Sequence, residues 1–313
     1  MPFFSVIIPL YNKESYIEDC LQSVLNQSFN DFEVIITNDG STDNSLCKVK
    51  SIQSDKIQII DQKNQGVSLA RNNASAKASG IYLAFLDADD VWKKDHLHCL
   101  AESIKVYPKS NFLANNYWIK YSDSYSAPAK IDINSTNDKP IVIQDLFGSS
   151  LHNNIIWTSA ACLNREAFFK YGQFNPEYTT GQDLDLWIRI GLKEPLIFNP
   201  KKTMIYNYAL EHSLGKSEQN LVRLKLFSSF KDDEKLNRSL KQYLDIKRYG
   251  LALRTKINGE TEIFHKVRSD ISKENLNFKQ NLLLKTPRII LRLLNKARPF
   301  LLKNSWYLKH FKS

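Results

Sequence analysis

The sequence predicts an α/β protein built on a mostly parallel sheet, with a basic helical extension at its C-terminal end. Three observations carry that expectation. Four apolar runs in the first ninety residues alternate with stretches whose apolar positions recur at helical spacing, which is the pattern of successive βαβ units. Polar clusters stand just past three of those runs, at Tyr11-Asn12, Asn38-Asp39-Gly40 and Asp87-Ala88-Asp89-Asp90. Charge is also unevenly spread. Residues 1–212 hold 20 Lys/Arg and 24 Asp/Glu, a net of −4, whereas residues 213–313 hold 23 and 9, a net of +14. The asymmetry divides the chain into a mildly acidic body, 1–212, and a basic appendage, 213–313.

The elements follow in order. Ser5-Val6-Ile7-Ile8-Pro9-Leu10 reads as a short strand ended by its proline, and residues 14–27 place Tyr16, Ile17, Cys20, Leu21, Val24 and Leu25 on one helical face. Phe32–Thr37 is a second strand, and Asn38-Asp39-Gly40-Ser41-Thr42-Asp43 after it is a dense turn and cap signal that begins a helix. Ile57–Ile60 is a third strand, residues 66–79 a helix and Ile81–Leu86 a fourth, fully apolar strand. Residues 108–150, rich in Ser, Asn, Tyr and Lys, read as loops and edge strands over a binding face. Asn153–Ala161 reads as a strand, Arg165–Tyr171 as a short helix and Gln182–Leu192 as an amphipathic helix. Beyond Ser213 the chain reads as helical.

Right-handed crossovers put the carboxyl ends of parallel strands on one edge, where ligands bind in such sheets. Three polar clusters far apart in sequence are therefore expected to meet. The densest holds three carboxylates in four residues, Asp87, Asp89 and Asp90. Crowded like charges raise one another's pKa and cost stability unless a cation is present. Mg²⁺ or Mn²⁺ suits oxygen ligands, and Mg²⁺ commonly takes one or two carboxylates plus substrate phosphates. A metal-bound phosphorylated ligand is one reading of the cluster; a solvated acidic turn before a helix is the other.

Composition excludes several classes. At 42% hydrophobic and 24% charged the chain is ordinary for a globular protein. Cys20, Cys47, Cys99 and Cys162 are scattered without zinc-ligand or redox spacing and read as small apolar residues in a reducing compartment. The N-terminus has no basic region ahead of an apolar core, so a signal peptide is not expected. No stretch approaches the ~18 continuous apolar residues of a transmembrane helix. A cytoplasmic protein is the expectation.

Six segments, in order, resemble the family 2 glycosyltransferases, inverting enzymes of the GT-A fold with a Rossmann-like nucleotide-binding sheet. They are Val6-Ile7-Ile8-Pro9-Leu10-Tyr11-Asn12, Cys20–Ser28, Asn38-Asp39-Gly40-Ser41-Thr42-Asp43, Asn64-Gln65-Gly66-Val67-Ser68-Leu69-Ala70-Arg71-Asn72, Phe85-Leu86-Asp87-Ala88-Asp89-Asp90 and Gly181-Gln182-Asp183-Leu184-Asp185-Leu186-Trp187. The resemblance covers roughly residues 3–192. It implies that Pro9, Tyr11 and Asn12 shape the first loop against the nucleotide, with Glu14 close by. Asp39 would accept a hydrogen bond from a uracil ring, and Arg71 would approach the base or diphosphate. Asp87-Ala88-Asp89 matches the DxD motif that binds ribose and metal, with Asp90 an extra acid, and Asp183 matches the catalytic base. Asn73 stands where the family often has glycine, and Gln182 where glutamate is more usual, which removes one negative charge beside Asp183.

Each assignment has a plainer counterpart. Asp39 suits a turn, Arg71 an exposed helix, and Asp183 a helix N-cap. Asp185 has no firm role. Trp157 suits an acceptor-stacking ring or a core position alike. His212 loosely matches a family segment where a histidine nears the diphosphate, but a surface histidine is the preferred reading.

The implied activity is transfer of a sugar from a nucleotide-sugar donor, UDP-linked by the resemblance, to a hydroxyl of a glycan or lipid-linked acceptor, in cell-surface polysaccharide synthesis. The alternative is a nucleotide-sugar-binding protein that has lost catalysis. Residues 275–313 hold nine Lys/Arg and no Asp/Glu. Thr286-Pro287 reads as a helix start, Ile289, Ile290, Leu293, Leu294 and Ala297 share a face, and Pro299 is expected to stop the run. Such a helix suits the anionic inner face of the cytoplasmic membrane, or packs on the body with a solvated basic face. No nucleic-acid-binding module accompanies the charge, and no nucleic acid is expected.

Overall fold

The computed structural model describes residues 1–131, 133, 139–208 and 218–303, and of 298–303 the backbone alone. It falls into two compact units, Met1–Ser217 and Glu218–Ser313. In the first, β1 (Phe4–Leu10), α1 (Ile17–Leu25), β2 (Phe32–Asp39), α2 (Ser45–Ser51), β3 (Ile57–Gln62), α3 (Val67–Lys77) and β4 (Tyr82–Phe85) alternate as expected. Their strands are all parallel, in the order β3-β2-β1-β4. Val6 lies opposite Val34 on one side and Ala84 on the other. Side chains on both faces of β1 are buried, including Val6, Ile7 and Ile8, which is why the strand reads as a continuous apolar run rather than an alternating one. Ile17, Cys20, Leu21 and Val24 form the buried stripe of α1 at the spacing that one helical face requires.

Strand order reverses beside β1, with β2 and β3 on one side and β4 on the other. This is the switch point of the sheet. In open α/β sheets ligands bind outside the strands' carboxyl ends at such a point.

The sheet continues as β4-β9-β6-β10-β5 through β5 (Val91–Trp92), β6 (Phe112–Ser122), β9 (Ala161–Asn164) and β10 (Leu196–Asn207). Here β9 runs antiparallel to both neighbours, while β6 and β10 are parallel to each other. Edge pieces β7 (Tyr125–Pro128) and β8 (Ile141–Ile143) pair with β6 and β10. Parallel pairing is thus complete in the first half and mixed beyond it.

Two sequence expectations fail in this half. Residues 108–150 include an eleven-residue strand, β6, flanked by β9 and β10 rather than at an edge. Its buried Asn115 and Asn116 disguise it. Asn115 donates inside to the His96 carbonyl (3.0 Å) and the Thr203 hydroxyl (3.0 Å), while its side-chain oxygen is buried without a partner. Asn153–Ala161 is not a strand. Thr158–Ala160 is a tight 3-10 turn, and the strand begins only at Ala161. Helix α4 (His96–Val106) follows β5 without a clear sequence signal, while α5 (Arg165–Lys170) and α6 (Gln182–Gly191) stand where helices are expected. An aromatic cluster of Phe85, Phe112, Phe174 and Trp187 holds α6 against the sheet.

The second unit is helical: α7 (Asn220–Ser229), α8 (Lys231–Leu236), α9 (Arg238–Asn258), α10 (Thr261–Ser269), α11 (Phe278–Lys285) and α12 (Arg288–Lys303). Leu240, Leu244 and Leu251 of α9 are buried. Beside them Arg248 is enclosed, its guanidinium 2.5 Å from each Glu234 oxygen, 3.2 Å from Asp245 and 2.9 Å from the Phe227 carbonyl. A buried charge survives only when its donors are met in this way. Thr286 does not cap α12; its hydroxyl donates back to the Leu282 carbonyl of α11 at 3.0 Å. Pro299 does not end α12 either, for the helix runs to Lys303. A proline removes one hydrogen bond to the preceding turn and leaves the residues after it free to remain helical. Among the described residues no helix is long and apolar enough to cross a membrane. Cys20, Cys99 and Cys162 are buried, Cys47 is exposed, and none is in a disulfide.

Candidate active site

The loop after β1 is tied to the loop after β2. Asn12 takes a left-handed backbone, φ 49°, which asparagine tolerates better than most residues. Its side-chain oxygen accepts from the Thr42 amide at 2.8 Å, and its amide group donates to the Thr42 hydroxyl at 3.2 Å. Lys13 donates its backbone N–H to the Ser45 hydroxyl (2.7 Å), and Glu14 donates its own to Asp43 (3.0 Å). The Glu14 carboxylate accepts from the Asn44 amide at 2.9 Å. Glu14 therefore caps the start of α2 in this structure. Pro9 lies in β1 opposite Thr37, and Tyr11 is exposed at its mouth. Burial alone would raise the Asp43 carboxyl, but hydrogen bonds from Ser45 and the Glu14 amide hold it below the ordinary range.

Asp39 ends β2 and is buried. One carboxylate oxygen accepts from the Gln62 side chain (2.8 Å) and the Gln65 amide (2.8 Å), the other from the Gly66 amide (2.9 Å). A carboxylate offers about four acceptor positions, so one remains for a ligand. Asn73 supports this set by donating to Gln62 at 2.7 Å, which gives the departure from glycine at that position a local role. Gly40 is required nearby. Its φ is +71°, and a Cβ there would lie 2.8 Å from the Asn64 backbone nitrogen.

The acidic turn follows β4, and its three carboxylates do different things. Asp87 is ion-paired with Arg71 of α3. Asp89 is ion-paired with Lys13, Nζ to Oδ2 at 2.6 Å. Asp90 is 1% exposed and turned into the protein. Its oxygens accept from the Ser159 hydroxyl at 2.5 Å and the Asn207 amide at 2.9 Å. Burial and these two hydrogen bonds give Asp90 the task of holding the turn in this structure, whereas Asp87 and Asp89 are paired with Arg71 and Lys13. Ala88 between them is buried. Ser159 also accepts from the Asp87 amide at 3.1 Å, so one hydroxyl fixes both ends of the turn. Beneath it, the Cys20 thiol donates to the Asp87 carbonyl at 3.7 Å. Burial, and then Asp90, Asp89 and Asp87, push that thiol well above its ordinary value, so it stays protonated and inert.

Burial raises the carboxyl of Asp89 against the pull of Lys13, with Asp87 adding to the rise. Asp90 is raised further, first by burial and then by Asp89 and Asp87. Desolvated acids beside a cleft favour any added cation. Asp87 and Asp89 are each bound through one oxygen, Oδ1 to Arg71 and Oδ2 to Lys13. Two carboxylates two residues apart fit a hard divalent ion that completes its shell with phosphate oxygens and water. Among the described residues no three His, Cys, Asp or Glu side chains are grouped to hold a metal ion by themselves.

Residues 5–172 match the family described as Glycosyl transferase family 2. The chain belongs to that family. The chain is 30% identical to TuaG of Bacillus subtilis, a protein named for teichuronic acid biosynthesis, over 75% of this chain and 90% of TuaG. It is 37% identical to the Streptococcus pneumoniae glycosyltransferase GlyA over 38% of this chain, and that match spans 17% of GlyA. A Rickettsia bellii glycosyltransferase is 32% identical over 61% of this chain, with 27% of its own length spanned. In structure, the chain resembles S. aureus TarS 1–349 in complex with UDP-GlcNAc, with a TM-score of 0.67 and 19% identity over 90% of this chain and 83% of that one. Both have the GT-A fold.

Asp183 lies in the first turn of α6, and its carboxylate accepts from the Leu184 amide at 2.8 Å. It does not share the hydrogen-bonded set that joins Lys13, Arg71, Asp87 and Asp89. Gln182 beside it is buried, with its side-chain oxygen unpartnered. Asp185 faces inward to Arg189 at 2.7 Å, and Arg189 also donates to the Tyr171 and Gln173 carbonyls. Asp185 is therefore structural. Burial raises its carboxyl, and Arg189 opposes the rise. Trp157 packs on Tyr206 at 4.0 Å and on Tyr117 at 5.7 Å. Arg71 lies over the Phe174 ring at 5.0 Å, and its Nε and Nη1 are buried without partners. His212 lies outside the described residues. Sequence reasoning missed Lys13 and Ser159. Lys13 follows Tyr11-Asn12 directly, and a lysine beside a predicted acidic crevice is its signal; Ser159 has none.

Proposed function

We propose that this glycosyltransferase moves one sugar from a UDP-sugar donor to a hydroxyl of a glycan or lipid-linked acceptor, with inversion and with help from Mg²⁺ or Mn²⁺, in cell-surface polysaccharide synthesis at the cytoplasmic face of a membrane. One observation carries the reading: Lys13, Arg71, Asp87 and Asp89 meet at the switch point of a parallel sheet. The UDP-GlcNAc bound to the structural relative TarS and the name of TuaG support the donor and pathway class. Residues 1–212 are the catalytic part in this reading, and 213–313 the appendage.

Each residue then has a task. Asp39 offers its remaining acceptor position to the N–H of the base, and Tyr11 and Asn12 shape the loop beside it. Asp87 takes the ribose side, with Arg71 neutralising it. Asp89, with Asp87, holds the metal ion in place of Lys13. The ion, when bound, stabilises charge on the departing diphosphate as a Lewis acid. Asp183 takes the acceptor's proton as attack proceeds, a role worth roughly 10²–10⁴-fold in rate. A single base opposite the leaving group gives inversion; retention would need a nucleophile on the other face.

The test is slow release of UDP from UDP-sugars without acceptor, after a thermal-shift screen of UDP-, GDP- and dTDP-sugars with Mn²⁺ has chosen the donor. A donor that raises the melting temperature and is hydrolysed supports the reading. Donor binding with no turnover, with or without acceptor glycans, favours the inactive binding protein.

A further inference from the structure

The second unit carries an exposed apolar helix face whose surroundings are basic. In α12, Ile289 is 74% exposed, Ile290 47%, Leu293 64% and Leu294 51%. Among the described side chains of α12 only Leu291 turns inward, at 4% exposed, so this part of the helix is seated by one edge and its apolar arc faces outward. At 100° per residue those four side chains and Ala297 span one side. Arg292 and Lys296 border it, and both are exposed. In α11, Phe278 and Leu282, one turn apart, are also exposed. Four adjoining aliphatic side chains left in water forgo hydrophobic burial, and such patches mark interaction sites.

Charge identifies the occupant. From residue 275 to the end the chain has nine Lys/Arg and no Asp/Glu. An apolar ridge on a helix whose charged residues are all cations complements a surface with an anionic rim and an apolar interior. A second copy of this chain would present cations to cations across the same face. We propose that Ile289, Ile290, Leu293 and Leu294 insert into the headgroup boundary of an anionic phospholipid bilayer while Arg292 and Lys296 bind its phosphates; Arg288 is held by the Ile257 and Asn258 carbonyls at the end of α9. The inference rests on the proposed function only in giving a lipid-linked acceptor a surface to meet on; the docking itself does not require catalysis.

The full chain is to be tested for co-sedimentation with vesicles of equal parts phosphatidylglycerol and phosphatidylcholine, and with vesicles of phosphatidylcholine alone. Binding is expected to the first only and to weaken as salt rises. The double variant Leu293→Ser, Leu294→Ser is expected to bind roughly tenfold more weakly or less; Arg292→Gln, Lys296→Gln is expected to lose several-fold and most of the salt dependence. All four positions are exposed, so both variants should melt with the parent. No binding to anionic vesicles, or equal binding by the serine variant, overturns the inference. So does a wild-type dimer in sedimentation velocity that the serine variant dissolves, for the occupant is then a second copy. UDP binding measured on the same samples separates the two claims, since loss of docking with UDP binding intact leaves the proposed activity standing.

Discussion

The Lys13 ammonium lies 2.6 Å from a carboxylate oxygen of Asp89, joining the loop after β1 to the loop after β4 across the switch point. A fixed cation thus stands beside the carboxylate that the proposed mechanism gives to a metal ion. Removing a positive charge beside a cation site strengthens cation binding. Lys13→Met is expected to bind Mn²⁺ roughly threefold to tenfold more tightly, and to melt lower than wild type in metal-free buffer. Free Mn²⁺ followed by electron paramagnetic resonance reads the affinity. Unchanged or weaker binding would mean that Asp89 is not the metal's partner.

Ser159 should matter for the turn rather than for chemistry. Ser159→Ala leaves a buried Asp90 oxygen and the Asp87 amide without their shared partner. An unmade buried hydrogen bond costs about 1–3 kcal/mol, and urea unfolding should show a loss of that size. Ser159→Thr keeps the hydroxyl and should recover most of it. A neutral Ser159→Ala would place the stability of the turn elsewhere.

His96 sets a pH dependence. It is fully buried, stacked on Trp92 at 4.2 Å, with Nδ1 2.8 Å from the Thr203 hydroxyl. Burial pushes its pKa down to about 3. The unfolded chain takes up this proton below about pH 6.5, whereas the folded chain does not until about pH 3. More protons are bound in the unfolded state across that window, so stability rises with pH through it and is lost as pH falls. This one group should remove about 2 kcal/mol between pH 7 and pH 5. Urea unfolding at both values should show that much less loss in His96→Gln. Equal losses in the two proteins would contradict the buried neutral imidazole.

Asp183→Asn keeps the size of the side chain but cannot accept a proton. Donor binding is expected near wild type, with transfer reduced by roughly 10²-fold or more. Transfer at the wild-type rate would put the base elsewhere.

The first half of the fold was legible in the sequence because parallel buried strands are continuous apolar runs, as in Val6-Ile7-Ile8 and Leu83-Ala84-Phe85, and the polar residues at their ends stand out by contrast. Phe112–Ser122 was not, because buried asparagines that donate to distant partners such as Thr203 look like loop residues when those partners are unknown. The same limit hid Ser159, whose hydroxyl gains meaning only from an acidic turn about seventy residues away. It also hid the surroundings of Asp90. Three neighbouring carboxylates look alike in a sequence, but the backbone aims Asp87 and Asp89 at cations and Asp90 at Ser159 and Asn207. Glu14, taken as a donor neighbour, caps α2 through a contact thirty residues away.

The central claim is that Asp87 and Asp89 recruit a divalent ion for a nucleotide diphosphate. Calorimetric titration of UDP into wild type and Asp89→Asn, each with Mn²⁺ and with EDTA, tests it most directly. The account predicts binding by wild type with Mn²⁺ that weakens at least about tenfold in EDTA, and an Asp89→Asn protein that folds but binds equally weakly in both. UDP binding by wild type that is the same with Mn²⁺ and EDTA, or absent in both, would contradict it.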